Sequence, residues 1–270
     1  MRIFFVIIFL FCSIITAQEQ NDFPTAYLES LPDKPLSDVI PETHDYIYIQ
    51  HDSTCVACAV ARAGEKISEF EGKNETRYVV AWTHASGRRV DQMYNSDEVG
   101  MYGSDAALAI EKFGFLPASE LDKTDYNKWY GKQSDKLGWD EDDEWWKVFA
   151  KYRNKTDKYP VAIPNNINDV QLCLRKGLPV LFVSTAKWRP AIMRQTGRRE
   201  YITTQFGENG AHVVTLRDYF SFDETEYCNL INSHGERHAP LKLIWLDWIQ
   251  ADYNFSCFVI LPKNYFERKK

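Results

Sequence analysis

Cys55, His212 and Asn232 are the residues whose types, order and settings combine into a chemistry. A thiol attacks a carbonyl as its thiolate. An imidazole takes the thiol proton and returns it to the leaving group, and a third polar group holds the imidazole ring in place. Cys55 falls in Gln50-His-Asp-Ser-Thr-Cys-Val-Ala-Cys-Ala-Val-Ala-Arg-Ala63, which begins as a polar loop and becomes a run of small apolar residues with helical character. Ser53 and Thr54 are good N-caps, and the helix they begin can run from Cys55 to about Phe70. A thiol in the first turn faces unsatisfied N–H groups and the positive end of the helix dipole, and both favour its anion. On this stretch alone two readings stand side by side: a reactive thiol, or Cys55 and Cys58 as a buried pair or disulfide. His212 opens a β-type run after Gly207-Glu-Asn-Gly-Ala211, which puts it at a strand edge where a cleft can form. Asn232 ends the following predicted strand, and antiparallel pairing of the two would bring it close to His212.

The elements that must position these residues change character along the chain. Ser104 caps a predicted helix over Asp105–Phe113, which Gly114 ends, and Gly87–Gly103 before it reads as a loop. Tyr78–Thr83 is an apolar run. The stretch Asp122–Pro160 is the least regular, rich in charge and tryptophan. Its acidic run opens an amphipathic helix over about Asp142–Tyr152, with Trp146, Val148, Phe149 and Tyr152 on the apolar face. Asn168 caps a short helix, Asp169–Lys176, stopped by Gly177 and Pro179. After it come β-type runs: Val180–Ser184, His212–Leu216, Tyr227–Ile231, Leu241–Trp245 and Phe255–Leu261. Helices first and strands second give an α+β layout in two lobes.

Composition narrows the function. The 270 residues carry a formal charge of −6 and no basic stripe, which argues against a nucleic-acid partner. Arg2–Ala17 has the form of a secretory signal, a basic residue before an apolar run too short to span a membrane comfortably. An exported protein without stable membrane insertion is expected, in an extracellular, periplasmic or endolysosomal setting. Residues 18–40 read as an extended leader. Five cysteines remain beyond the signal, so at least one should be free of internal pairing. Asn74, Asn154 and Asn254 head triplets that permit glycosylation. No ligand spacing indicates a metal, and no cofactor is expected.

Three segments together resemble the papain-like cysteine peptidases. Ser53-Thr-Cys55-Val-Ala-Cys-Ala59 looks like that family's nucleophile segment, Asn209-Gly-Ala-His212-Val-Val its histidine segment, and Asn232-Ser-His-Gly235 its Asn-Ser-Trp-Gly. They stand in the family's order, with His212 following Cys55 by 157 positions against roughly 130–150 in relatives. The Trp-rich acidic segment is a natural place for the difference. The resemblance implies a papain-like domain over 41–270, with a helical left lobe at about 50–176, an antiparallel β right lobe at about 178–265 and the active-site cleft between. It implies Cys55 as nucleophile, with a depressed pKa, His212 as base and acid, and Asn232 as the group that orients it. The Cys55 N–H and the Gln50 amide would form the oxyanion hole, although Gln50 stands five residues before the cysteine where the family has six. Gly100, Met101 and Ala211 would line the substrate cleft, and Leu241–Leu261 would close the β lobe as a hairpin. The expected partner is a peptide or protein substrate, and the expected state is a monomer. Two other readings remain: a thiol–disulfide oxidoreductase using Cys55 and Cys58, and a catalytically inactive binding protein on the same scaffold.

Overall fold

The structure is a computed structural model and describes residues 23–34, 54–73, 76–91, 101–132, 143–184, 186–192, 199–206, 212–222, 225–231, 242–245 and 256–265. Its helices are α1 (Thr25–Glu29), α2 (Cys55–Phe70), α3 (Val80–Asp91), α4 (Gly103–Lys112), α5 (Lys123–Trp129), α6 (Asp143–Tyr152) and α7 (Ile167–Arg175). Its strands are β1 (Val161–Ala162), β2 (Val180–Ser184), β3 (Ala186–Ile192), β4 (Arg199–Phe206), β5 (His212–Phe222), β6 (Thr225–Ile231), β7 (Lys242–Trp245) and β8 (Ser256–Ile260).

α2 organises the core. Every residue from Val56 to Ser68 is buried, as expected of a helix apolar on nearly all sides. Small residues, Ala57, Ala59, Ala61 and Ala63, let neighbours approach its backbone. Gly64 takes this furthest: a Cβ there would stand 2.9 Å from the Phe115 ring, so the helix accepts the roughly 1 kcal/mol that a glycine costs in place of alanine. The buried charges on α2 are paired. Glu65 holds the Arg62 guanidinium and accepts from Arg77 at 3.2 Å, while Lys66 donates to Glu69 at 2.7 Å.

The strands form one sheet in the order β1-β8-β2-β5-β6-β7-β4-β3, antiparallel except where β4 runs parallel to β7. α2 lies on β5, and the buried Thr215 hydroxyl donates to the Ala59 carbonyl at 2.8 Å. This main core joins α2 to Val180, Phe182, Val214, Leu216, Val259 and Ile260. A second core packs α3 against the Trp-rich segment through Trp82, Leu116, Trp129, Trp145 and Tyr152.

Several elements differ from the sequence expectation. Residues 25–29 of the supposedly extended leader are helical, with Leu28 fully buried and Phe23 nearly so. The leader is clasped at both ends: Lys34 N–H donates to Arg175 O at 2.8 Å, and the Tyr27 hydroxyl to Asn264 Oδ1 at 2.6 Å. α3 runs straight through Gly87, because burial of Ala81, Trp82 and Ala85 outweighs one poor helix former. Trp145, which the amphipathic reading left off the apolar face of α6, is fully buried with Val148 and Tyr152, spaced three and seven residues on. Asn166, not Asn168, caps α7, accepting from the N–H groups of Asn168 and Asp169 at 2.9 and 3.2 Å. β7 and β8 form no hairpin with each other. Ten residues separate them, too many for a tight turn, and they pair on opposite sides of β2, β5 and β6. The expected β-type run Asp45–Gln50, the signal segment and the sequons at Asn74 and Asn254 lie outside the described residues. Among the described residues, no helix is long and apolar enough to cross a membrane.

Candidate active site

Two elements bring Cys55 and His212 to one place. Cys55 is the first residue of α2 and His212 the first of β5, and the hydrogen bond from Thr215 to Ala59 fixes one element on the other. His212 pairs with Ser184 and Val213 with Val183 across β2. The backbone N–H groups of Val213, Val56 and Cys55 itself lie close enough to the half-buried Cys55 thiol to favour its anion. The first of these places the sulfur against the residue next to His212. Thr54 occupies the N-cap position but makes no side-chain capping bond there; its hydroxyl bonds Cys58 instead. The expected side-chain cap at Thr54 is thus not made.

Burial is the largest influence on Cys55 and pushes the thiol up; the three N–H groups pull it down without reversing the shift. The depressed thiol implied by the resemblance is therefore not supplied by the helix start. A depressed thiol would require a cation beside the sulfur. Cys58 lies one turn deeper, is 1% exposed and is pushed up to about 12, chiefly by burial. Cys173 is likewise raised by burial and by the neighbouring Asp169 and Cys257. All five described cysteines are free thiols. Brief iodoacetamide treatment at pH 8 should therefore modify Cys55 and spare Cys58 and Cys173 until the protein is unfolded. Peptide mapping by mass spectrometry reads this directly, and labelling of Cys58 at a rate comparable to Cys55 would contradict it.

Of the other anticipated site residues, Met101 is nearly buried, 9% exposed, two residues before α4. Gln50, Gly100, Ala211 and Asn232 lie outside the described residues. β6 ends at Ile231 opposite Thr215 of β5, so the chain reaches Asn232 directly after pairing with the strand that starts at His212. The Val213 N–H was missed from the sequence, where a backbone donor leaves no signal. So was Gly103, which opens α4 against Val183 and Phe258. No group of three or more metal-ligating side chains occurs among the described residues.

No protein-family model matches the chain, and no curated protein sequence does. Solved structures do. Xylellain, a cysteine protease from Xylella fastidiosa, superposes with a TM-score of 0.58 over 89% of this chain and 90% of its own length, at 17% identity. This is the papain-like fold. The digestive procathepsin L 3 of the Tenebrio molitor larval midgut shares the papain-like fold at a TM-score of 0.57 and 13% identity, over 84% of this chain and 71% of that one. So does the proform of the ragweed pollen cysteine protease Amb a 11, at 0.55 and 13%, over 90% and 69%. The papain-like fold has two lobes, one mainly helical and one of β-strands, with a cleft between them. Here α2 provides the helical side of that division and β5 the strand side.

Proposed function

We propose that this protein is a cysteine peptidase that hydrolyses peptide bonds through a thioacyl-enzyme on Cys55. The observation that carries this is the Cys55 thiol at the start of α2, with the N–H of Val213, one residue from His212, close enough to favour its anion. His212 takes the thiol proton, giving a thiolate–imidazolium pair. The thiolate adds to the substrate carbonyl carbon. The Cys55 N–H and the Gln50 amide receive the oxyanion. As the C–N bond breaks, His212 protonates the departing amine. Water, deprotonated by the same imidazole, then opens the thioester and restores the thiol. Asn232 orients the imidazole, and Gly100, Met101 and Ala211 line the substrate's path. The signal-like Arg2–Ala17 supports an exported destination, and we place the enzyme there as a monomer.

The test is an epoxysuccinyl or vinyl-sulfone peptide probe followed by mass spectrometry. Labelling at Cys55 is expected, lost in His212→Ala. A protein that resists the probe and instead reduces insulin disulfides would be a thiol–disulfide oxidoreductase. The deep burial and raised ionisation of Cys58 weigh against that outcome.

A further inference from the structure

A cleft of about 320 Å³ opens between the leader, the end of α2, the turn after α7 and β5. It lies away from Cys55: Lys66, which lines it, stands about 16 Å further along α2. Among the described residues, four cations line the cleft, Lys34, Lys66, Lys176 and Arg217, against two carboxylates, Asp33 and Glu69. The chain as a whole carries −6, so this positive excess is local. Several devices hold the cations in place. Lys176 is 6% exposed, and its ammonium donates to Leu31 O at 2.6 Å and meets Asp33 Oδ1 at 2.8 Å. Lys66 is 8% exposed and meets Glu69 at 2.7 Å. Both carboxylates are about half exposed, so they can turn to water and yield the ammoniums to a bound anion. Gly177, at a φ of +80°, makes room for the Lys34 stem: a Cβ there would come within 3.2 Å of Lys34 Cδ. Arg217 sits at a bulge in β5. Leu216 faces Leu230 and Asp218 faces the adjoining Asn229 of β6, which leaves Arg217 as the extra residue. A bulge re-aims the side chain it carries, and this one reaches the cleft wall.

We propose that this cleft binds a phosphate or sulfate group, free or as the ester of a small organic molecule. One influence opposes an anion here: α2 and α7 both end at the cleft, and each helix C-terminus carries roughly half a negative charge. With those and both carboxylates counted, the four cations still leave an excess of about one positive charge. A guanidinium presents a planar fork that can hold two oxygens of such a group, and the ammoniums add point charges. Phe70 gives part of the wall an apolar surface, against which the organic part of an ester can rest. Occupancy would tie the leader to α2 and β5, and a ligand bound only by the folded chain stabilises it.

The experiment titrates inorganic phosphate and phenyl phosphate calorimetrically into the full chain at fixed ionic strength. At least one of them should bind one to one, with a Kd below about 1 mM, and sulfate should compete for the site. Arg217→Gln should weaken binding about tenfold or more, and Lys34→Gln by a smaller factor. Lys34 is exposed, so its variant keeps the test available if Arg217→Gln does not fold. Tighter binding of phenyl phosphate supports an ester with its ring at Phe70, and equal or weaker binding supports the free ion. Phosphate and sulfate also stabilise proteins by exclusion from their surfaces, but that effect does not saturate and is blind to Arg217. Heat that never saturates with either probe, or affinity unchanged in both variants, would overturn the site. The readout is binding alone, so the result stands apart from the peptidase reading.

Discussion

Replacing His212 with alanine should move the ionisation of Cys55 into the alkaline range and abolish peptide hydrolysis. The sign follows from the surroundings of the sulfur. Burial raises the thiol, and the N–H groups of Val213, Val56 and Cys55 offset only part of that rise. Without an imidazolium the thiol stays protonated at neutral pH, because its folded-state value lies above the ordinary range of about 8.5. With one, the thiolate gains a counter-ion in a partly desolvated site, where the attraction is far stronger than in water. Iodoacetamide reacts with the thiolate, so its rate against pH reports the ionisation. The native protein should react at neutral and mildly acidic pH, the His212→Ala variant only as the pH rises past about 8.5. Peptide turnover should fall by a factor on the order of 10⁴ or more, as when one member of such a catalytic set is removed. A variant that alkylates at pH 6 as fast as the native protein would remove His212 from the site.

The second large effect is structural. Trp82→Ala should destabilise the protein by about 3–5 kcal/mol. Trp82 is fully buried, stacks on Phe149 with centroids 4.7 Å apart and meets the edge of Trp145 at 6.0 Å. Its indole N–H donates to Gly114 O at 3.0 Å, at the turn that ends α4 with a φ of +76°. Alanine would leave a cavity and an unsatisfied carbonyl together. Urea unfolding followed by circular dichroism measures the change. A shift below about 1 kcal/mol would mean that the tryptophan cluster unfolds apart from the main core. The same experiment bears on the acidic tryptophan-rich stretch, whose tryptophans Trp129 and Trp145 serve this core.

What could be read from the sequence was local and repetitive. α2 declared itself through a long run of small apolar residues without proline, and β2 and β5 through continuous apolar runs that the interior requires. β3 and β4 were not legible. Lys187, Arg189 and Pro190 interrupt any period-two pattern, and they are tolerated because β3 is the outermost strand, where a proline breaks no ladder on its free side. The polar helix α5 gave no apolar stripe to find. Pairing is not a local property, so the separation of β7 from β8 could not be anticipated. At the candidate site, residue type and spacing raised the possibility of a reactive cysteine. The resemblance linked Cys55 with His212 and made Met101 an expected cleft residue. The N–H of Val213 beside the thiol depends on close approach in space, which composition does not record.

The bond from Thr215 to Ala59 spans 156 positions of sequence, and that separation governs when the site can exist. Closing so long a loop is entropically costly, and contacts of this range form late in folding. A chain made from its N-terminus carries Cys55 well before β5 has been synthesised. Until β5 seats on α2, the cysteine has no Val213 N–H beside it. The topology thus sets an order of assembly: α2 meets the strand that begins at His212 only after that strand has been made, and β8 joins the same core later still.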